Sequence, residues 1–219
     1  MKTIEPGEAI GPPFAQVSVT TIPECPQLPK LRVMPPQPCL GRRVPARGGR
    51  EMTSLTITWT LFSHGWASVK VADDHGQGEA LASYVTGGPE QFLCAIARLV
   101  LGDVDTRAEL EGEPQVYRWF FHRNGSAVDV RLLLADDDQA PDNSGKVLWS
   151  GRHTVKALAR SAVRAFDRID HEQGEESYES HWGRPFPRTE LEALRAAMRA
   201  YQRSYTKSLT SPSDSGEAG

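Results

Sequence analysis

From residue 55 onward the chain alternates: Leu55, Ile57, Trp59 and Leu61 are apolar, while Thr56, Thr58 and Thr60 are polar. A period of two in aromatic and β-branched residues predicts a half-buried strand. Ser63-His64-Gly65 predicts a turn into a second strand over 66–72, where Ala67, Val69 and Val71 oppose Trp66, Ser68 and Lys70. Asp73-Asp74-His75-Gly76 ends that strand, so the pair reads as a hairpin. The period then lengthens. Pro89 stands where the first turn of a helix tolerates it, and EQFLCAIARLVLG runs on to a glycine stop. Phe92, Ile96 and Leu99 share one side, Leu93, Cys94 and Leu101 cover much of the rest, and Arg98 is nearly the sole solvent residue. A helix apolar nearly all round needs cover on both sides. The cover comes either from its own domain or from a second copy, so a homodimer is one of two expectations.

VYRWFFHR, Asn124-Gly125 and SAVDVRLLLA predict two strands around a type I′ turn, since both turn residues tolerate positive φ. A shorter strand over 107–111 is expected before them. Another over 146–150 is expected after the acidic loop DDDQAPDNSG. Two helices close the pattern. The first runs from Thr154 to about His171, with Val155, Leu158, Ala162, Phe166 and Ile169 on one face and Gly174 at its end. The second opens at Thr189, whose spacing to Glu192 fits a capping box, and buries Leu191, Leu194, Met198 and Tyr201. The expected fold is α+β: one domain over 52–203, with a meandering antiparallel sheet of about six strands and helices packed on one face.

Residues 1–51 carry ten of the 16 prolines, no tryptophan and no hydrophobic period. Such a segment buries too little to offset the entropy of ordering, so disorder is expected there and in the polar tail over 204–219. Three readings of 1–51 remain open: a Pro-rich linker or docking tail, a metal-binding Cys25/Cys39 pair, or translated sequence upstream of a native start at Met52. Codons for Gly48-Gly49 are able to spell a ribosome-binding core before Met52, which favours the third. The Cys25/Cys39 pair lacks the nearby His or acidic residues that would complete a zinc site.

Charge divides at the same place. Residues 1–51 hold seven basic and four acidic side chains; residues 52–203 hold 17 and 22. An acidic folded part argues against nucleic acid as the partner. No apolar run is long enough to span a membrane, and no basic-then-apolar leader opens the chain, so a cytoplasmic protein is expected. Three cysteines make neither a paired framework nor a CxxC site, and Cys94 reads as a core cysteine.

No catalytic, cofactor or metal signature stands out. His64, His75, His122, His153, His171 and His181 form no HxH or HExxH pair, and no GxSxG or GxxxxGK[ST] is present. Gly87-Gly88-Pro89 reads as a loop-to-helix junction rather than an anion cradle, because Pro89 removes a donor and no cation stands beside it. The aspartates from Asp136 to Asp142 miss the EF-hand register, since Pro141 stands where glycine is needed and Val147 where glutamate is.

Three surfaces remain as partner-binding candidates. Glu109, Glu111 and Glu113 recur at period two and project from one strand face as an acidic patch. Lys156, Arg160, Arg164 and Arg168 recur every four residues, opposite the apolar face of their helix. They read as a solvated face, a phosphate-binding stripe or a dock for an acidic partner. Tyr178, Trp182 and Phe186 either staple the last helix to the domain or, beside Arg184, anchor a binding site.

Three pieces in order carry a resemblance: SYVTGGPEQFLCAIARLVLG, EGEPQVYRWFFHRNGSAVDVRLLL and GEESYESHWGRPFPRTELEAL. With Glu113, Pro114, Tyr117 and Trp119 in the second, and Gly174, Glu175, Tyr178, Trp182, Phe186 and Pro187 in the third, residues 52–203 resemble a group of small actinobacterial proteins. The excess of Arg over Lys, 19 to 6, agrees with such a GC-rich source. In size, acidity and architecture the chain is also similar to immunity proteins of bacterial toxin systems. Those resemblances imply no catalytic residues. The expected function is a non-enzymatic interaction domain, immunity-type or regulatory, with a protein partner. The alternative is a small-molecule binder or an enzyme with a pocket between sheet and helices, using His122 and His153.

Overall fold

The computed structural model describes residues 54–210, apart from 63 and 143, with side chains described as far as Ser204. The segment 1–51, Cys25, Cys39, Met52 and residues beyond 210 lie outside the described residues. Among the described residues seven antiparallel strands form two sheets. β1 (Thr56–Leu61), β2 (Trp66–Asp73) and β3 (Gly76–Ser83) make a three-stranded meander, and β4 (Asp105–Gly112), β5 (Gln115–Asn124), β6 (Ala127–Ala135) and β7 (Lys146–Thr154) a four-stranded one. Four helices, α1 (Gly88–Leu101), α2 (Val155–Gln173), α3 (Glu175–Trp182) and α4 (Arg188–Thr210), complete an α+β fold.

The additional strand is β3, GQGEALAS, which carries no run of β-formers. Its composition follows from its place. A Cβ on Gly78 would come 2.6 Å from Cβ of Trp149, so β3 passes β7 too closely for a side chain there. Gly78, which permits this crossing, and Gly76 together erase the strand signal. The hairpin turn is also shifted. Asn124 pairs with Ala127, so Gly125-Ser126 forms the loop, and only Gly125 has positive φ (+62°). A glycine at the first central position fits a type II′ turn rather than the expected Asn124-Gly125 type I′.

The core gathers on the helix side of both sheets. Phe92 of α1 meets Trp119 of β5 edge-on at 5.3 Å, and Trp59 of β1 meets Phe166 of α2 at 5.3 Å. Phe92 and Trp59 lie 5.9 Å apart, so one aromatic chain joins two sheets and two helices. Such contacts add to the burial of the rings themselves. α1 is packed against β4, α2 and α4. Its nearly all-apolar surface is thus covered from within the chain. β1 is an edge strand, and its Ile57 N–H donates to Ser161 Oγ of α2 at 2.8 Å, so this edge group is satisfied by the helix.

α2 begins as expected: Thr154 Oγ1 accepts from Ala157 N–H at 3.1 Å. α4 does not. It starts at Arg188, which puts Thr189 inside the first turn, and Glu192 pairs with Arg195 instead of closing a capping box. Arg188 fixes this end of the helix. Its Nη2 donates to Asp170 of α2 at 2.6 Å, its Nε donates to Glu175 of α3 at 2.7 Å, and its guanidinium lies 4.9 Å from the Phe186 ring. α4 also runs beyond 204, through Thr210.

Candidate functional site

The aromatic segment is resolved in favour of the staple. Tyr178 and Trp182 stand on α3 with 1% and 0% of their surface exposed, and Phe186 follows at 7%. Phe186 bridges Tyr178 (5.1 Å) and Phe166 of α2 (6.3 Å). These three rings are core, not contact anchors, because α3 turns a stretch with glycine and proline into one more apolar face. Arg184 lies 3.8 Å from Glu90 of α1. Burial raises the Glu90 carboxyl above its ordinary value, and Arg184 opposes that shift.

The acidic patch forms in part. Residues 105, 107, 109 and 111 share the solvent face of β4, so Glu109 and Glu111 are neighbours. Glu113 is not on the strand. It sits in the turn to β5 with φ +39°, before a cis bond to Pro114. Glu109 is drawn between Arg107 (3.4 Å) and Arg118 (3.6 Å). Arg118, 2% exposed, is the buried cation of this face. Its guanidinium donates to the carbonyls of Ala140 (2.5 Å), Pro141 (3.3 Å) and Asp138 (2.8 Å). The acidic loop therefore wraps an arginine with its backbone. Burial pushes the Glu111 carboxyl above its ordinary value of 4.5, and Asp138, Glu109 and Glu113 push the same way. Glu109 thus helps hold the loop, while Glu111 and Glu113 form no ion pair among the described residues.

The basic stripe on α2 is arranged differently. Lys156, Arg160, Arg164 and Arg168 are all exposed. Among the described residues none of the four meets a carboxylate, and Arg164 Nε donates only to the carbonyl of Arg160 at 3.3 Å. The helix's two aspartates, Asp167 and Asp170, are engaged by Arg195 and Arg188 of α4. Four cations therefore stand along one helix face, with Asp167 and Asp170 drawn toward α4 and the exposed Glu172 one turn beyond Arg168. No protein-family model and no curated protein matches this chain.

The remaining candidates fall apart chemically. Among the described residues no three of His, Cys, Asp and Glu are placed to hold a metal ion. Cys94 is half-buried on α1. His153 is buried: its Nε2 lies 3.1 Å from Asp73 Oδ2, and its ring stacks on Trp149. Asp73 Oδ1 accepts from the N–H groups of His75 and Gly76, so the pair ties β7 to the β2–β3 turn. His122 is on the opposite, solvent face of the sheet, 2.7 Å from Asp105. The two histidines do not share a pocket. A cleft of about 450 Å³ does lie beside His122, on the solvent side of the four-stranded sheet rather than between sheet and helices. No helix among the described residues is long and apolar enough to cross a membrane.

Proposed function

We propose that this chain is a non-enzymatic protein-interaction domain, of the immunity or regulatory type, that docks an acidic protein on the α2 stripe. The observation that carries the reading is the set of four exposed cations, Lys156, Arg160, Arg164 and Arg168, without a carboxylate partner among the described residues. Asp167 and Asp170 are taken up by Arg195 and Arg188 of α4, which leaves the stripe's cations without them. An acidic protein surface complements it, and complementarity of this kind mainly accelerates association and selects the partner. The similarity in size, acidity and architecture to immunity proteins supports an interaction role and assigns no residue of the stripe.

Nucleic acid is the competing polyanion. It is disfavoured because residues 52–203 hold 17 basic against 22 acidic side chains, and because no aromatic residue interleaves with the stripe. The test is paired capture from the native host, with nuclease treatment, using the wild-type chain and an R160E/R164E variant. An acidic protein retained in stoichiometric amount by the wild type, released by salt and absent from the variant is the expected result. Equal retention by both forms, with the variant folded, would remove the stripe from the account. Loss of the captured material on nuclease treatment would replace the protein partner by nucleic acid.

A further inference from the structure

The register of the four-stranded sheet builds a second surface that periodicity alone did not show. Arg107 of β4 pairs with Phe120 of β5, and Phe120 pairs with Arg131 of β6. All three point to solvent, so a phenyl ring stands between two guanidinium-bearing positions in one cross-strand row. Arg131 lies 5.7 Å from the Phe120 ring centroid. The row borders the 450 Å³ cleft, a size within the range of small-molecule sites.

The arginines along this cleft are paired with carboxylates, with one exception. Arg107 is bound to Asp142 at 2.5 Å, His122 lies 2.7 Å from Asp105, and Asp129 accepts from Arg152 at 3.1 Å. Arg98 is held by Asp103 at 2.8 Å. Among the described residues Arg131 meets no carboxylate; its partner is the Phe120 ring. Arg131 thus offers a planar cation over an aromatic ring, with no carboxylate partner among the described residues. A guanidinium pairs with carboxylate or phosphate through its edge and with flat rings through its face. We infer that the cleft binds a small organic anion carrying a flat ring: the carboxylate or phosphate at the edge of Arg131, and the ring against the Arg131–Phe120 pair.

The site is independent of the α2 stripe, so either assignment can fail without the other. The experiment is calorimetric titration of the full chain with adenosine 5′-monophosphate and with 4-hydroxybenzoate, and with adenosine and inorganic phosphate as half-probes. Saturable binding of at least one ring-bearing anion is expected, with each half-probe weaker by about tenfold or more. R131A, at an exposed position, should weaken that binding by about tenfold while R160A leaves it unchanged. A heat-unfolding curve shows that R131A remains folded. No binding of either ring-bearing anion would overturn the inference. So would an R131A affinity within about threefold of wild type, or inorganic phosphate binding as tightly as the ring-bearing probes.

Discussion

Arg118 is the residue on which the sheet's solvent face depends. It has 2% exposure, three carbonyl acceptors and a glutamate at 3.6 Å, so its loss releases the exposed loop it anchors. R118M should cost about 2–3 kcal/mol in chemical denaturation, because hydrogen bonds to a charged group are the stronger kind. Proteolysis within 136–142 should rise with it. Trp182 makes a contrasting case. Read as a surface anchor, W182A would weaken capture and leave the fold intact; with the ring fully buried, it should destabilise by about 3–5 kcal/mol. Glu111 gives a pH signature. Its folded pKa is raised above 4.5, so its ionisation opposes folding, and stability falls as pH rises from 4.5 through the folded value. E111Q should therefore raise the melting temperature at pH 7. The gain should shrink to nothing as the pH is lowered below about 4.

At the scale of elements, the sequence was legible wherever the hydrophobic period was uninterrupted. β1, β2, β5, β6, α1 and α2 follow from alternation or a helical stripe. The elements that did not follow are those whose residues answer to a neighbour. β3 has glycine at 78 because Trp149 leaves no room for a Cβ, and α3 hides in a segment whose Tyr178 and Trp182 spacing has two structural explanations. The site was less legible still. Parity within VYRWFFHR separates Arg118, Phe120 and His122 from Tyr117, Trp119 and Phe121, but only strand register brings Arg107 and Arg131 to either side of Phe120. Likewise Glu113 kept the period of Glu109 and Glu111 while a turn took it off the strand. The α2 stripe was visible as a pattern, and what the structure adds is that its four cations are exposed and meet no carboxylate among the described residues. That distinction carries a prediction. Since the stripe contributes no ion pair, R160A/R164A should leave the melting temperature within about a degree of wild type, as substitutions at unpaired surface positions do. A drop of several degrees would show that the stripe holds the fold together.

For the molecule as a whole, the two sheets and the helix layer give two chemically distinct sides. The solvent face of the four-stranded sheet is a mosaic in which Glu109, Asp142, Asp105 and Asp129 are each matched to a basic group. The outer face of α2 carries four cations that meet no carboxylate among the described residues. α1, which by sequence left open the need for a second copy, is covered by β4, α2 and α4 of its own chain. The outer face of α2 is therefore the proposed docking surface. A photo-crosslinking residue at position 171 extends the stripe by three residues beyond Arg168 and preserves all four cations, whereas one at 113 reports from the sheet side. Crosslinking in the native host should yield a covalent adduct with an acidic protein from position 171 and none from 113. An adduct from 113 alone would contradict the account and move the docking surface to the sheet.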